Sequence, residues 1–217
     1  MSRVELAILL VAVVLLVLLW LVWVAATRLD RLHRRVGASR AVVDAQLVRR
    51  ATAAAELATS GLLDPASAMI VGEAAWTSLS CEGPEPAALT VPPDLRRLLD
   101  TSSDEPGSAA RPPQPCDRGQ VESDLTAALR EVLRDPEEVA VLRAELGGDG
   151  LLDDLAAAWY RVQLARRFHN DAVAQTRAAR RGALVRLLRL AGTAPNPTTL
   201  ELDDAWPEGL PMVRPRP

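Results

Sequence analysis

The sequence predicts an all-α protein in which an N-terminal transmembrane helix continues into an antiparallel bundle of three to four long helices. Three observations carry that reading. One stretch, Leu6 to Ala26, runs for 21 residues without a charge, proline or glycine. The chain is dominated by Ala, Leu, Val and Arg, with only 3% aromatic residues, a composition that favours helices over strands. Asp-Pro and Gly signals then punctuate the apolar periodicity where helices should open and close.

The apolar run comes first. At about 1.5 Å per residue it covers roughly 30 Å, the thickness of a bilayer's hydrocarbon core. A cleaved signal peptide is the rival reading, because Arg3 gives a basic start and Val24, Ala25 and Ala26 are small enough for a cleavage position. The run is longer than a secretory apolar region, and Trp20 and Trp23 lie near its far end, where indoles prefer the headgroup interface. Residues 1–27 are therefore assigned as a retained, single-pass anchor. Arg28, Arg31, Arg34, Arg35 and Arg40 follow the span, whereas Arg3 precedes it, so the positive-inside rule places the following domain on the cytoplasmic side of the cell membrane.

The soluble part divides at its prolines. Leu29, Leu32, Val36, Val43 and Leu47 recur at mainly helical intervals, which carries the first helix out of the membrane to about Ser60. Gly61 stops it, and Asp64-Pro65 opens a second helix to about residue 80, with Trp76 expected to pack inward. Residues 28–80 thus form the first part of the bundle. Residues 81–120 hold eight of the sixteen prolines and read as a linker or long loop, with one short helical turn near Asp94 to Leu99 and a weak PxxP pattern at Pro112 to Pro115. The second part, 121–192, should open at Ser123 or Asp124, present Leu125, Leu129, Val132, Leu133, Val139, Leu142 and Leu146, and restart at Asp135-Pro136. A turn at Gly147 to Gly150 precedes a last helix from about Leu151 to Leu190, with Leu152, Leu155, Trp159 and Val162 on one face, and residues 193–217 form an irregular Pro-rich tail.

Motifs for chemistry are scarce. Cys81 and Cys116 do not form a CxxC pair and cannot alone make a zinc site. On the cytoplasmic side they are expected as free thiols, whereas an oxidising compartment would allow one disulfide. His33 and His169 fall some ~20 Å apart in an antiparallel register at 1.5 Å per residue, too far to share a metal. Gly147-Gly148-Asp149-Gly150 lacks the Lys and Ser/Thr of a phosphate loop, and the acidic pairs Asp153-Asp154 and Asp203-Asp204 suit a helix start and a solvated tail. The formal net charge is −3 and the basic residues lack interleaved aromatics, which argues against nucleic-acid binding. Neither a cofactor nor an enzyme activity is expected.

Two segments resemble the LemA family. The first, RLDRLHRRVGASRAVVDAQLVRRA at residues 28–51, matches its pattern at Leu32, Arg35, Val36, Val43, Asp44, Gln46, Leu47, Arg49 and Arg50. The second, VQLARRFHNDAV at residues 162–173, matches at Gln163, Ala165, Arg166, Arg167, Phe168, Asn170, Asp171, Ala172 and Val173. The chain is similar to a divergent member, since His169 stands where a tyrosine is commoner. The resemblance implies an N-terminal membrane helix followed by long antiparallel helices, and it implies no enzyme activity.

If the last helix returns to the membrane, so that Leu190 reaches the height of Leu29, residues 44–50 face about 169–175. This register predicts an interhelical polar layer in which Asp44 accepts from Asn170 or Arg167, and Asp171 meets Arg49 or Arg50. Solvated helix faces are the alternative. The same register brings Arg177, Arg180, Arg181, Arg186 and Arg189 beside Arg28, Arg31, Arg34 and Arg35 as a basic collar able to touch anionic headgroups. The sequence thus points to a membrane-anchored helical scaffold or adaptor, whose partners are lipid and an unidentified protein and which is also compatible with homo-oligomerisation. The alternative is a regulatory or sensory subunit of a membrane-associated signalling system.

Overall fold

The computed structural model describes residues 3–81, 116–188 and 196–211. These residues are helical or irregular, with no strand among them. The helices are α1 (Arg3–Thr59), α2 (Pro65–Ser80), α3 (Arg118–Val132), α4 (Pro136–Ala144), α5 (Gly148–Arg180) and α6 (Ala183–Leu187). The linker's proline-rich centre, its short helical turn and its PxxP pattern, together with Arg189, Leu190 and the end of the tail, lie outside the described residues.

α1 is one uninterrupted helix of 57 residues, as the absence of proline predicts. Its first part has a mean hydropathy of 3.2 and is nowhere buried against protein, so it is long and apolar enough to cross a bilayer. The helix ends at Gly61, whose φ of +81° is the left-handed conformation that follows many helix C-termini. Asp64 then caps α2, its side chain accepting from the amides of Ala66 and Ser67, and Pro65 occupies the first helical position. α4 restarts in the same way, with Asp135 accepting from the Glu137 amide ahead of Pro136.

Two compact units make up the chain, and both α1 and α5 contribute to each. The smaller comprises Met1–Arg40 and Phe168–Thr199. In it Leu29, Ala172, Val173 and Val185 are buried. As numbering rises along α1 it falls along α5: Arg180 Nη1 lies 3.4 Å from His33 Nε2, Arg35 Nη1 donates to Gln175 Oε1 at 3.4 Å, and Ser39 Oγ lies 3.0 Å from His169 Nδ1.

The larger unit comprises Ala41–Arg167 and Leu200–Pro217. Val43 and Leu47 of α1 pack with Val162, Ala165 and Leu200, and a larger cluster joins Ala54, Leu57, Val71, Ala75, Leu125, Leu129, Leu133, Leu152, Leu155 and Trp159. The face of α5 predicted from Leu152, Leu155, Trp159 and Val162 is fully buried. Among its described residues the tail has no helix, as expected, yet it is a packed strap. Leu200, Pro207, Gly209 and Leu210 are buried along it, and the Trp206 ring lies 6.0 Å from that of Trp159.

Several expectations are corrected. Trp76 is 71% exposed, because α2 turns the smaller residues Val71, Ala75 and Ser78 to the core at helical spacing. Leu146 is exposed, lying beyond the end of α4. The cap of α3 is Asp117, which accepts from Gly119 and Gln120, so the helix opens ahead of Ser123 and Asp124. Gly148 to Gly150 belong to the first turn of α5, and only Gly147, at φ +85°, supplies the turn. α5 ends at Arg180, where Arg181-Gly182 interrupts the predicted run to Leu190. Cys81 and Cys116 are joined in a disulfide, with Cα atoms 5.9 Å apart, rather than free. Closing the loop between them, whose ends are 35 positions apart, restricts the unfolded chain by about 3–4 kcal/mol in the chain-entropy account.

Two outcomes follow. The Gly209 amide donates to Leu133 O at 3.1 Å, and a Cβ there would stand 2.7 Å from that oxygen and 3.0 Å from Asp135 O. Gly209→Ala should therefore destabilise the domain by about 1–3 kcal/mol in chemical denaturation, through forced backbone displacement. At Asp64, hydrogen bonds from Ser67 and Ala66 hold the carboxyl below its ordinary pKa. A depressed folded pKa gives stability that is fully present above the unfolded value near ~4 and is lost as pH falls through the folded value. The gap in melting temperature between the wild type and Asp64→Ala should accordingly be constant from neutral pH to about 5 and narrow below about 4.

Candidate functional site: a buried ion cluster

α3 carries a charged residue on its core face. Its inward positions are Glu122, Leu125, Thr126, Leu129 and, just past its end, Leu133. Glu122 is fully buried, as is Arg50, which projects from α1. Arg50 Nη2 donates to Glu122 Oε2 at 2.8 Å and to the Glu122 carbonyl at 3.0 Å, while Nη1 donates to Thr126 Oγ1 at 3.0 Å. Ser78 Oγ of α2 donates to Glu122 Oε1 at 2.7 Å, and Arg118 Nη2 lies 3.1 Å from the same oxygen. Both carboxylate oxygens are thus occupied.

The remaining donors extend this cluster to the edges of the unit. Arg118 Nη1 donates to Ser78 O at 2.9 Å and to Cys81 O at 2.6 Å. Both carbonyls lie at the C-terminal end of α2, where Ser78 O also accepts from the Cys81 amide at 3.3 Å and a cation complements the helix dipole. Thr126 Oγ1 is 2.8 Å from Asp203 O and so ties the tail to α3. The Arg50 guanidinium carbon stands 5.3 Å above the Trp159 ring, a cation–π contact that supplies a partner on its unbonded face. Burial lowers the Arg50 pKa from its ordinary value, and the charge and hydrogen bond of Glu122 oppose that shift.

A second polar knot holds the tail. Arg166 grips Asp204 with two parallel bonds, Nε to Oδ2 at 2.8 Å and Nη2 to Oδ1 at 2.9 Å. The Asp204 carbonyl accepts from Gln163 Nε2 at 2.7 Å and Trp159 Nε1 at 3.1 Å. Fork-on-carboxylate pairing fixes direction as well as distance, so it sets the path of the strap over α5.

The predicted polar layer is only partly the one observed. Arg50 is buried, but its carboxylate partner is Glu122 instead of Asp171. Arg49, Arg167 and Asp171 are exposed, whereas Asp44 and Asn170 are half-buried. The physical reason is register. With Ser39 beside His169 and Val43 and Leu47 packed with Val162 and Ala165, α5 is shifted along α1 from the alignment of Leu29 with Leu190. Collar residues Arg28, Arg31, Arg34, Arg35, Arg181 and Arg186 are exposed, with Arg34 paired to Asp30 at 2.7 Å. Arg177 and Arg180 are half-buried, and Arg177 Nε donates to Pro197 O at 2.9 Å.

Outside the cluster, a groove of about 410 Å³ runs between α2 and α3, lined by Ile70, Glu73, Ala74, Thr77, Val121, Asp124, Ala127 and Ala128. Met69, Ile70 and Trp76 are exposed on α2. Among the described residues, no group of three or more His, Cys, Asp or Glu side chains could hold a metal ion. The ion cluster is sealed and its hydroxyls are committed to structural acceptors, so it locks helices together and offers no exposed nucleophile.

Sequence reasoning missed Glu122, Arg118, Ser78 and Asp204. One signal was available: Arg118, Glu122 and Thr126 recur every four residues on the stripe that carries Leu125 and Leu129, which places a carboxylate among core positions. No family model, curated protein or solved structure matches the chain.

Removing Glu122 leaves two guanidinium groups without their shared anion. Glu122→Ala should cost about 3–5 kcal/mol in equilibrium unfolding, whereas Arg50→Met combined with Glu122→Gln should recover a measurable part of that loss. A double variant less stable than Glu122→Ala would show that Arg50 contributes through packing on Trp159 and not through the ion pair.

Proposed function

We propose that this protein is a membrane-anchored, non-enzymatic helical scaffold or adaptor of LemA-like kind, with its bundle on the cytoplasmic face of the cell membrane. The observation that carries this reading is α1, in which a bilayer-length apolar segment runs without a break into the core helix of a folded domain. A domain tethered by the same helix that carries the apolar segment suits recruiting a partner to the membrane surface. The exposed arginines of the collar add attraction to anionic headgroups, each contributing about 1 kcal/mol near such a surface.

The partner-facing surface in this reading is the groove between α2 and α3. Its charged lining residues are Glu73 and Asp124, alanines and Val121 are among the others, and Met69 and Trp76 are exposed on α2. Trp and Met are enriched at the centres of protein interfaces, and small lining residues let a helix approach closely. The occupant that fits is an amphipathic helix of a partner protein with basic residues flanking its apolar stripe.

A sensory role is the second reading, favoured by the disulfide. Cys81 sits at the C-terminus of α2, and its carbonyl is bound by a member of the ion cluster.

A photo-crosslinking residue at position 76 of the full chain in its native membranes tests the adaptor reading. It should capture a discrete protein, and Ala128→Trp, which fills the groove, should reduce that yield at least about tenfold, equivalent to about 1.4 kcal/mol of binding. Capture unaffected by Ala128→Trp, or none at all, would remove the groove from the interface.

A further inference from the structure

We propose that Cys81 and Cys116 form a reversible redox site, oxidised by a low-molecular-weight disulfide, whose state reaches the buried ion cluster through Arg118. The inference rests on the cytoplasmic placement of the domain, because there small thiols keep ordinary cysteine pairs reduced and the disulfides that do form are usually transient and regulatory.

Geometry supplies the first support. The two Cα atoms are 5.9 Å apart, inside the usual range for a disulfide, at the end of α2 and immediately before the cap of α3. This juxtaposition does not depend on the bond itself. α2 and α3 are also joined by Arg118 to Ser78 O and Cys81 O, by Ser78 to Glu122, and by Val71, Ala75, Leu125 and Leu129 in one core. The reduced domain therefore keeps its thiols facing each other, and closure of the pair is an intramolecular step.

Their surroundings suit exchange. The Arg118 guanidinium on the Cys81 carbonyl fixes the backbone that carries one of the two sulfurs. Cys116 is half-buried and Cys81 is buried, so an incoming reagent meets Cys116 first. The Cys116 thiolate attacks one sulfur of the small disulfide and expels the other half as a small thiolate, which takes up a proton. The Cys81 thiolate then attacks the Cys116 sulfur of the mixed disulfide and expels the second small thiolate. Two protein thiols and one small disulfide become one protein disulfide and two small thiols, and excess small thiol reverses both steps.

Transmission follows the hydrogen bonds. The Cys81 carbonyl and Glu122 share Arg118, and Glu122 in turn holds Arg50 over Trp159. Opening the disulfide removes the covalent tie at this corner, so the Arg118 bonds to Ser78 O and Cys81 O alone hold the end of α2 to the start of α3, and the first turns of α3 open more often. Those turns lie beside the α2–α3 groove, whose lining includes Val121 and Asp124. Oxidation thus rigidifies one wall of that groove.

The test uses the full chain in its native membranes, with thiols trapped by acid quenching and counted by mass-tagged maleimide. In unstressed cells both cysteines should take a tag. After brief exposure to diamide, which converts small thiols to their disulfides, neither should, and both tags should return within minutes of its removal. On the detergent-solubilised chain, amide exchange over residues 118–124 should be at least about tenfold faster in the reduced form, and Arg118→Met should abolish that difference while Arg118→Lys keeps part of it. Permanent pairing in unstressed cells, persistent tagging under diamide, or equal exchange in the two forms would overturn the inference. Orientation is read separately by external proteolysis of intact cells carrying Cys81→Ser with Cys116→Ser. A protected domain leaves the cytoplasmic reading standing and assigns any failure to the redox inference alone, whereas a cleaved domain sinks both.

Discussion

Everything in the larger unit converges on one carboxylate. Glu122 is fully buried, and each of its oxygens accepts from groups on other parts of the fold: Arg50 on α1, Ser78 on α2 and Arg118 on its own helix. Burying a carboxylate at that depth costs several kcal/mol unless it is paired and hydrogen-bonded, and these three donors offset that cost. The consequence is directional. An apolar core tolerates sliding of one helix over another, but a core that must bring two guanidinium groups and a hydroxyl to one carboxylate accepts a single register for α1, α2 and α3. Arg50 also carries that register to α5 through Trp159, and Thr126 carries it to the tail.

The tail completes the same logic. Residues 200–210 have no regular structure to satisfy their backbone, yet Leu200, Pro207, Gly209 and Leu210 are buried. Their carbonyls and amides find partners on the helices: Asp203 with Ser123 and Thr126, Asp204 with Gln163 and Trp159, and Gly209 with Leu133. Buried irregular backbone is tolerable only when its polar groups are paired in this way. The absence of a side chain at Gly119, whose added Cβ would collide with the Glu201 carbonyl, is the same constraint seen from α3.

Much of the architecture was legible because it is written in local terms. Long charge-free runs, Asp-Pro caps and a left-handed glycine after a helix are signals within a few residues of where they act, and α1, α2 and α4 start or stop where those signals lie. The polar site was less legible because its partners are distant in sequence. Arg50 was singled out correctly as an interhelical residue, but its partner is 72 positions away on a helix whose cap, Asp117, lies in a proline-rich stretch. The choice of Asp171 as the partner of Arg50 followed from an assumed endpoint for the last helix, and a displacement along α5 was enough to change that pairing. Trp76 failed for a different reason: hydrophobicity ranks it as a core residue, whereas the face of α2 is selected by the small residues that let helices approach.

These two kinds of determinant meet at the end of α2. The apolar part of α1 needs only apolarity and length to be able to cross a bilayer, whatever domain follows it. The domain, by contrast, holds a buried charge cluster in which Arg118 keeps its acceptors only while α2 ends beside the start of α3. Arg118 is placed there to accept that responsibility, since it binds the last carbonyls of α2 and the carboxylate of Glu122 together. Any event that moves the end of α2, whether thiol chemistry at Cys81 or a helix settling into the adjacent groove, must either keep those bonds or leave a guanidinium buried without its acceptors. A surface event at that corner is therefore coupled to the core of this unit by the cost of an unsatisfied charge.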